Sequence, residues 1–413
     1  MRGVILAAGL GVRLRPITET RPKPLIPVLD KPLIYFPMLL LRKLGVCEVI
    51  VVVGYMKEKI VDVVNRIANE MDMDVEVVEQ DKRLGTAHAL RVVVERGIDD
   101  DLVVVYGDIY LDPDIDIVIP KQCDLAIAGT YVDDVSRYGA LVIDGDRVLE
   151  IAEKSGVNRP GYVNAGIYYL RKNMARLVLD IGVSPRGEYE LTDIVKLANL
   201  RGYTVKLIEI PKGRWMDVGM PWSIIEVNKL ALSRFSSRVI KGSVDSVATI
   251  KGPVYIDEGA EIRGATYIEG PAYIGRNTVV GPNSYIRPYS VILDNCRIGF
   301  SVEVKESVVF ENTHAAHLSY IGDSVVCENV NLGAGTILAN LRFDERTVKV
   351  TIEGKRVDSG RKKLGAFIGA NVKTGVNVSI MPGVKIGSNA IIYPGVVVYR
   401  DVPSGAVVKS NWL

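Results

Sequence analysis

The sequence predicts an α/β fold in two parts, a mostly parallel sheet covered by helices and then a parallel β-helix. Three observations predict it. Short β-branched runs alternate with amphipathic stretches over residues 1–240. From Ile250 an aliphatic residue returns at every sixth position. The chain is rich in turn formers and poor in aromatics, with 39 Gly and 7% Phe, Trp and Tyr in 413 residues. That balance suits a Val/Ile interior with many tight turns.

The strands of the first part are 2–7 (RGVILA), 47–54 (CEVIVVVG), 74–80 (DVEVVEQ), 101–108 (DLVVVYGD) and 123–132 (CDLAIAGTYV). Each runs into a turn or an amphipathic stretch such as Glu58–Glu70. Strand–helix alternation of this kind makes a Rossmann-like sheet with helices on both faces. Residues 223–237 have helical spacing and close a first domain, 1–240, as a linker helix.

The second domain, 241–413, carries the six-residue rhythm: Ile250, Ile256, Ile262, Ile268, Ile274, Val280, Ile286, Ile292, Ile298, Val304 and Phe310. The rhythm breaks over 311–320 and again over 341–367, then resumes at Ile368, Thr374, Ile380, Ile386, Ile392 and Val398. Neither a helix nor a hairpin meander has this period; one flat side of a parallel β-helix does. The insertion 341–367 is basic, with eight Lys/Arg against four acids. It is either a solvated hairpin or a binding loop, with Arg346 and Lys349 as candidates for phosphate contact.

Composition narrows the function. A net charge of +2 argues against a dedicated nucleic-acid binder. No apolar run approaches the roughly 20 residues that span a bilayer, and the opening MRGVILAAGLGVR has too short an apolar core for a secretory leader. Cys47, Cys123, Cys296 and Cys327 are scattered without metal-ligand spacing, so they read as reduced thiols of a cytoplasmic protein. Only Gln80 and Gln122 are glutamines, a depletion that points to a heat-adapted source.

The first strand runs straight into Leu6, Ala7, Ala8 and Gly9, then Gly11 and Arg13. Small residues after a first strand let backbone N–H groups approach a phosphate. Lys23 follows, bracketed by Pro22 and Pro24, which hold it extended beside that loop. Joining one phosphate to the α-phosphorus of another brings anions together, so positioning and charge neutralisation dominate the chemistry.

Leu-Ala-Ala-Gly-x-Gly-x-Arg followed by Pro-Lys-Pro resembles the sugar-1-phosphate nucleotidylyltransferases, and the resemblance covers the whole first half. It implies that Gln80, with Gly85 and Thr86 of Leu-Gly-Thr-Ala, reads a uracil or thymine edge. It implies a Mg²⁺ site made by Asp108 of Tyr-Gly-Asp and Asp217 of Trp-Met-Asp-Val-Gly. Arg13 and Lys23 become the groups that stabilise transition-state charge. Gly139, Glu153, Lys154 and Asn164 match the sugar-binding positions. His88 reads as a helix-packing residue.

On the β-helix, His314-Ala-Ala-His317-Leu-Ser-Tyr320-Ile-Gly-Asp and Asn329-Val-Asn331-Leu-Gly-Ala-Gly resemble the acetyltransferase half of the bacterial bifunctional enzymes that make UDP-N-acetylglucosamine. That fold is a left-handed β-helix of hexapeptide repeats. The resemblance implies Arg287 and Lys305 as a sugar-phosphate clamp, His317 as general base, Tyr320 and Asn331 as substrate contacts, Asn340 near the acetyl group and Ala334 at acetyl-CoA. A His is suited to the task, since only a neutral amine attacks a thioester. After Asn340 the chain departs from the bacterial pattern, reading Leu-Arg-Phe-Asp. The combination of halves is similar to archaeal enzymes of this type.

The expected activity is therefore double: acetyl transfer from acetyl-CoA to glucosamine or galactosamine 1-phosphate, and Mg²⁺-dependent transfer of UMP or dTMP from UTP or dTTP to a sugar 1-phosphate. A single-activity nucleotidylyltransferase with a regulatory or oligomerising β-helix is one alternative. A non-catalytic subunit like those of the translation-initiation exchange factor is another. No membrane or nucleic-acid partner is expected. Flat β-helix faces and the resemblance both imply a homotrimer or a dimer of trimers, with the tail from Lys409 to Leu413 reaching a neighbouring subunit.

Overall fold

The computed structural model describes residues 1–152, 156 and 158–409. By contact the chain falls into two units. Residues 1–10, 22–25 and 32–217 form the first, and 11–21, 26–31 and 218–413 form the second.

The first unit is a nine-stranded sheet. Its strands are β1 (Arg2–Ala7), β2 (Glu48–Val53), β3 (Asp74–Glu79), β4 (Leu102–Tyr106), β5 (Leu125–Val132), β6 (Ala140–Asp144), β7 (Arg147–Ala152), β8 (Gly161–Leu170) and β9 (Val205–Ile210). They lie in the order β3-β2-β1-β4-β8-β5-β9-β7-β6. The sheet is parallel through β3, β2, β1 and β4 and again from β5 to β9. It turns antiparallel where β8 lies between β4 and β5, and at the β6–β7 hairpin. Parallel strands buried on both faces are continuous apolar runs, which is why the sequence announces β1, β2 and β4 so clearly. Helix α1 (Tyr35–Lys43), α2 (Lys57–Met71), α3 (Thr86–Val94) and α4 (Asp193–Leu200) belong to this unit. The buried face of α2 is Ile60, Val64, Ile67 and Ala68, the spacing of one helical stripe.

In the second unit three parallel sheets of eight, nine and eight short strands make a β-helix. Ile256, Ile274 and Ile292 stack in one row, eighteen residues apart, with their side chains in the core. The next partner of Ile292 is Val309, not Phe310. From there the coils are seventeen residues long, with Ile298 over Ala315 and Val304 over Ile321. The sequence reading of 311–320 as a break is therefore corrected: these residues form strands His314–His317 and Tyr320–Gly322 of a regular coil. One side of each coil has lost a residue, at 304→309 and again at 321→326, and the six-residue count falls out of phase without any loss of structure. The insertion is real; within it Lys349–Ile352 and Lys355–Asp358 pair as an antiparallel hairpin. Thr374 faces the core as expected, its hydroxyl paired with that of Thr336 at 2.8 Å.

Corner positions of the coils require a left-handed backbone. Asn277, Asn295, Asn312, Asn329, Asn371 and Asn389 occupy such corners with φ between 55° and 63°. Asn tolerates this conformation better than other residues with a Cβ, and Asn329, Asn371 and Asn389 hydrogen-bond in series at 3.2 and 3.1 Å. Asn thus has a structural duty in this fold that Gln, with its longer side chain, does not share.

By contact, helix α5 (Ser223–Leu232) counts with the second unit. Its fully buried Asn228 accepts the Leu29 N–H at 2.7 Å and donates to the Pro27 carbonyl at 3.1 Å. The loop 11–21 belongs to this unit as well. Arg21 pairs with Glu311 and Glu328 and lies over the Phe310 ring, 5.2 Å from its centroid. The Glu19 carboxylate accepts the Ser388 N–H at 2.9 Å and the Ser404 hydroxyl at 2.8 Å.

Cys123, Cys296 and Cys327 are buried and Cys47 half-buried, all as free thiols. Burial pushes the Cys296 thiol up to about 12. No helix among the described residues is long and apolar enough to cross a membrane.

Candidate active sites

In the first unit the site grows from the carboxyl ends of β1 and β4, adjacent parallel strands. Leu6, Ala7 and Ala8 are buried and Gly9 is exposed at the strand's exit. The Gly107 N–H donates to the Leu6 carbonyl at 2.9 Å, which sets Asp108 beside this loop. A Cβ at Gly107 would come within 3.1 Å of that carbonyl, tighter than an ordinary contact, so glycine eases the close approach. Strand Trp215–Asp217 pairs antiparallel with Ile109–Leu111, and its register sets Asp217 opposite Ile109.

Lys23 is 8% exposed. Its Nζ lies 2.5 Å from Asp108 Oδ2 and 3.6 Å from Asp217 Oδ1. Lys23 is not extended between its prolines, a correction to the sequence reading. It opens a 3₁₀ turn, Lys23–Leu25, closed by a 2.8 Å bond from the Leu25 N–H to the Pro22 carbonyl. Proline's fixed φ near −65° serves a turn as readily as an extended chain. Arg13 lies on the 3₁₀ turn Val12–Leu14, which follows Gly11 at φ 62°.

Two carboxylates converging on one cation supply hard oxygen donors of the type Mg²⁺ takes. Among the described residues no third His, Cys or acidic group joins such a cluster, so water and phosphate oxygens complete the shell of any ion bound there.

Gln80 is 4% exposed at the end of β3. Its Nε2 donates to the Gly85 carbonyl at 3.1 Å and meets His88 Nδ1 at 2.9 Å. Burial holds the His88 pKa below its usual value, with Arg91 adding to the shift. An amide NH₂ only donates, so the ring accepts this bond through Nδ1. With both amide hydrogens so directed, Gln80 presents Oε1 to a ligand, as an acceptor only. His88 is accordingly more than helix packing: it orients Gln80. Gly85 stands at φ 107°, and a Cβ there would lie 2.4 Å from the Tyr189 carbonyl. The hydroxyl of Thr86 accepts the Leu191 N–H at 3.0 Å.

Gly139 and Asn164 are neighbours, the Asn164 N–H donating to the Gly139 carbonyl at 2.9 Å. The Asn164 side chain donates to the fully buried Tyr168 hydroxyl at 2.7 Å and accepts the Gly166 N–H at 2.8 Å. Trp215 Nε1 donates to the Ala165 carbonyl at 2.8 Å, which ties the Asp217 strand to this segment. Glu153 and Lys154, expected to hold the sugar, lie outside the described residues.

In the second unit a polar cluster forms on one sheet of the β-helix. Ile286 pairs with Val304, so Arg287 and Lys305, the next residue on each strand, share a register one coil apart. Arg287 donates to Glu303 at 2.9 Å, and Glu303 is paired in register with Tyr320. Asn340 Nδ2 donates to the Tyr320 hydroxyl at 3.0 Å and to Asp323 Oδ2 at 2.5 Å. Lys305 Nζ donates to both oxygens of Asp323, at 2.9 and 2.8 Å. Burial, with Asp323 adding to it, raises the Tyr320 pKa.

Lys305, Tyr320 and Asn340 are thus brought together, with Arg287 joined through Glu303. His317 is exposed at a strand end beside Phe300 of the preceding coil, and its carbonyl accepts the Gly335 N–H at 3.4 Å. Asn331 pairs with His314 in a neighbouring sheet. Ala334 is half-buried and its carbonyl accepts the Asn377 N–H at 2.8 Å. Of the basic insertion, Arg346 bonds through its N–H to Asp344 at 3.2 Å, and Lys349 sits in the hairpin. Sequence reasoning missed Asp323 and Arg361, although Gly322 and Asp323 stand inside the segment that gave Tyr320.

Family models match successive parts of the chain. Residues 2–234 match the nucleotidyl transferase family, 268–364 the GMPPB C-terminal domain and 365–400 the bacterial transferase hexapeptide (six repeats). A bifunctional sugar-1-phosphate nucleotidylyltransferase/acetyltransferase of Sulfurisphaera tokodaii is 46% identical over 411 residues, 99% of this chain and 100% of the relative. The bifunctional protein GlmU of Methanocaldococcus jannaschii is 42% identical over 409 residues, covering 99% of this chain and 97% of its own length. GlmU of the bacterium Thermodesulfovibrio yellowstonii is 28% identical over 468 residues. With a nucleotidyl transferase half, a hexapeptide half and full-length relatives that carry both, the chain belongs to the family of bifunctional sugar-1-phosphate nucleotidylyltransferases/acetyltransferases.

Proposed function

We propose that this enzyme acetylates an amino-sugar 1-phosphate and couples the product to UTP or dTTP in the cytoplasm. What supports two activities rather than one is the cluster on the β-helix. A fold used only for assembly has no need of Lys305, Tyr320 and Asn340 gathered around a buried carboxylate.

For nucleotidyl transfer, Asp108 and Asp217 would hold Mg²⁺, which neutralises phosphate charge when bound. Lys23 and Arg13 stabilise the charge that develops on the α-phosphate as pyrophosphate leaves. The sugar phosphate is itself the nucleophile, so no covalent intermediate is needed. Gln80, Gly85 and Thr86 receive the base, and Gly139, Asn164, Glu153 and Lys154 the sugar. For acetyl transfer, His317 takes a proton from the ammonium of glucosamine or galactosamine 1-phosphate. The freed amine attacks the thioester carbonyl of acetyl-CoA, whose acetyl group lies near Asn340 and whose chain meets Ala334; the C–S bond breaks and CoA leaves as the thiol, taking up one of the two protons the nitrogen loses while the other departs through His317. Arg287 and Lys305 grip the phosphate, and Asn331 and Tyr320 the sugar. The domains of these activities are 1–240 and 241–413.

A substrate panel tests this reading. Glucosamine, galactosamine and their N-acetyl 1-phosphates are offered with UTP, dTTP, CTP, GTP or ATP, with and without acetyl-CoA. Gln80 Oε1 can accept the N3–H of uracil and thymine, which cytosine lacks, so UTP and dTTP turn over in preference to the rest. The 5-methyl group that separates them is worth only about 1–3 kcal/mol, so both are used. Preferred use of GTP overturns the base assignment, and no acetyl-CoA consumption with either amino sugar leaves only nucleotidyl transfer.

The flat β-helix faces associate in threes, as a trimer or a dimer of trimers. Exposed Phe300, Leu318 and Ile337 are apolar side chains such packing would cover. Light scattering at micromolar concentration is expected to give a multiple of three chain masses, and a monomer contradicts it.

A further inference from the structure

We propose that Asp323 is the positioning residue of the acetyl-transfer site, and that Arg361 is what the basic insertion contributes to it. This rests on the assignment of Lys305 and Asn340 to that site.

The Asp323 side chain is 1% exposed. A buried carboxylate is costly unless donors surround it, and here they do. Lys305 donates to both oxygens, Asn340 to Oδ2, and Arg361 stands 3.5 Å from Oδ1. The backbone of Asp323 joins the same parts. Its N–H donates to the Lys305 carbonyl at 2.8 Å and its carbonyl accepts the Gly365 N–H, at the end of the insertion, at 2.8 Å. Three side chains aim hydrogens at one point, which only an acceptor without hydrogens of its own can meet; an Asn would turn an NH₂ toward them.

The consequence falls on the two site residues. An ammonium has three hydrogens, and two of those on Lys305 are committed to Asp323, so the third has a fixed direction. Asn340 is held by Asp323 on one side and the Tyr320 hydroxyl on the other, so its carbonyl oxygen is the atom it offers a ligand. Arg361 adds the charge that lets a second acid sit nearby: it donates to Glu306 at 2.7 Å, and Glu306 also accepts Lys229 of α5 at 3.1 Å. These partners hold the Glu306 carboxyl below its usual range against the effect of burial.

The test is a double-mutant cycle on the full chain with Lys305→Met and Asp323→Asn. Acetyl transfer is followed against glucosamine 1-phosphate, and nucleotidyl transfer to N-acetylglucosamine 1-phosphate serves as the check on folding. Each single variant raises KM for glucosamine 1-phosphate about tenfold, the size of one lost charged hydrogen bond. kcat changes less. The double variant falls at least threefold short of the product of the two single effects, because Asp323 acts in part through Lys305 and in part through Asn340. Multiplied effects, or a normal KM in Asp323→Asn beside a raised one in Lys305→Met, overturn the proposal and leave the site assignment standing. A normal KM in Lys305→Met overturns the site assignment itself. If Asp323→Asn loses nucleotidyl transfer too, Asp323→Glu takes its place. It keeps the charge but moves it by one methylene, and must give the same rise and the same non-additivity.

Discussion

Asp108→Ala lowers pyrophosphate release by roughly 10²–10³-fold, the range for losing one group that stabilises transition-state charge, while acetyl transfer continues. The geometry sets this expectation. Asp108 is the nearer of the two carboxylates on Lys23, at 2.5 Å against 3.6 Å for Asp217. Removing it takes away a candidate metal ligand and also lets the Lys23 ammonium swing toward Asp217. The second carboxylate is then neutralised by the lysine rather than left for an ion. Acetyl-CoA consumption depends on residues of the β-helix alone, so it reports that the chain is folded. Wild-type pyrophosphate release by Asp108→Ala at saturating Mg²⁺ would falsify the metal assignment.

His317→Ala costs on the order of 10²–10⁴-fold in acetyl transfer, the usual range for a lost general base. Both histidines of the segment are exposed, so truncating either leaves the β-helix core intact. Nucleotidyl transfer to an already acetylated sugar phosphate is unchanged. His314→Ala is the control, since His314 stands at the opposite end of the same strand, in a row with Arg297 and Asn331. An unchanged acetyl rate in His317→Ala, with loss in His314→Ala, moves the base from one histidine to the other.

How much of this was legible beforehand follows from how local each signal is. Strands β1, β2 and β4 are continuous apolar runs and needed only their own residues to be seen. Strand β8 lies between β4 and β5 and carries Asn164, yet its Gly161–Leu170 run mixes Gly, Asn and Tyr with apolar residues, a pattern that marks a motif but not a strand. The β-helix was legible as far as Val304. Beyond it the count fails because a period count assumes equal sides, and a side shortened by one residue shifts every later position while the core row continues through Val309, Ala315 and Ile321. Site residues divide the same way. Lys23, Asp108 and Gln80 stand in short motifs that name them. Asp323, Arg361 and His88 act through partners 8 to 55 residues away along the chain, and no spacing rule connects them.

The interleaving of chain segments bears on how such an enzyme can be rearranged in evolution. Fusions and exchanges of genes cut a chain at one point, and residue 240 looks like the natural point. Yet residues 11–21 and 26–31 make their contacts within the second unit, through Arg21 with Glu311 and Glu328 and through Glu19 with Ser388 and Ser404. A hybrid that joined this nucleotidylyltransferase half to a foreign β-helix would carry Glu19 and Arg21 to a surface lacking their partners. Arg21 would be left as a desolvated cation two positions before Lys23. Selection on such hybrids therefore acts on acids and serines of the incoming β-helix as well as on its own site, so the two halves are inherited together far more easily than they are shuffled.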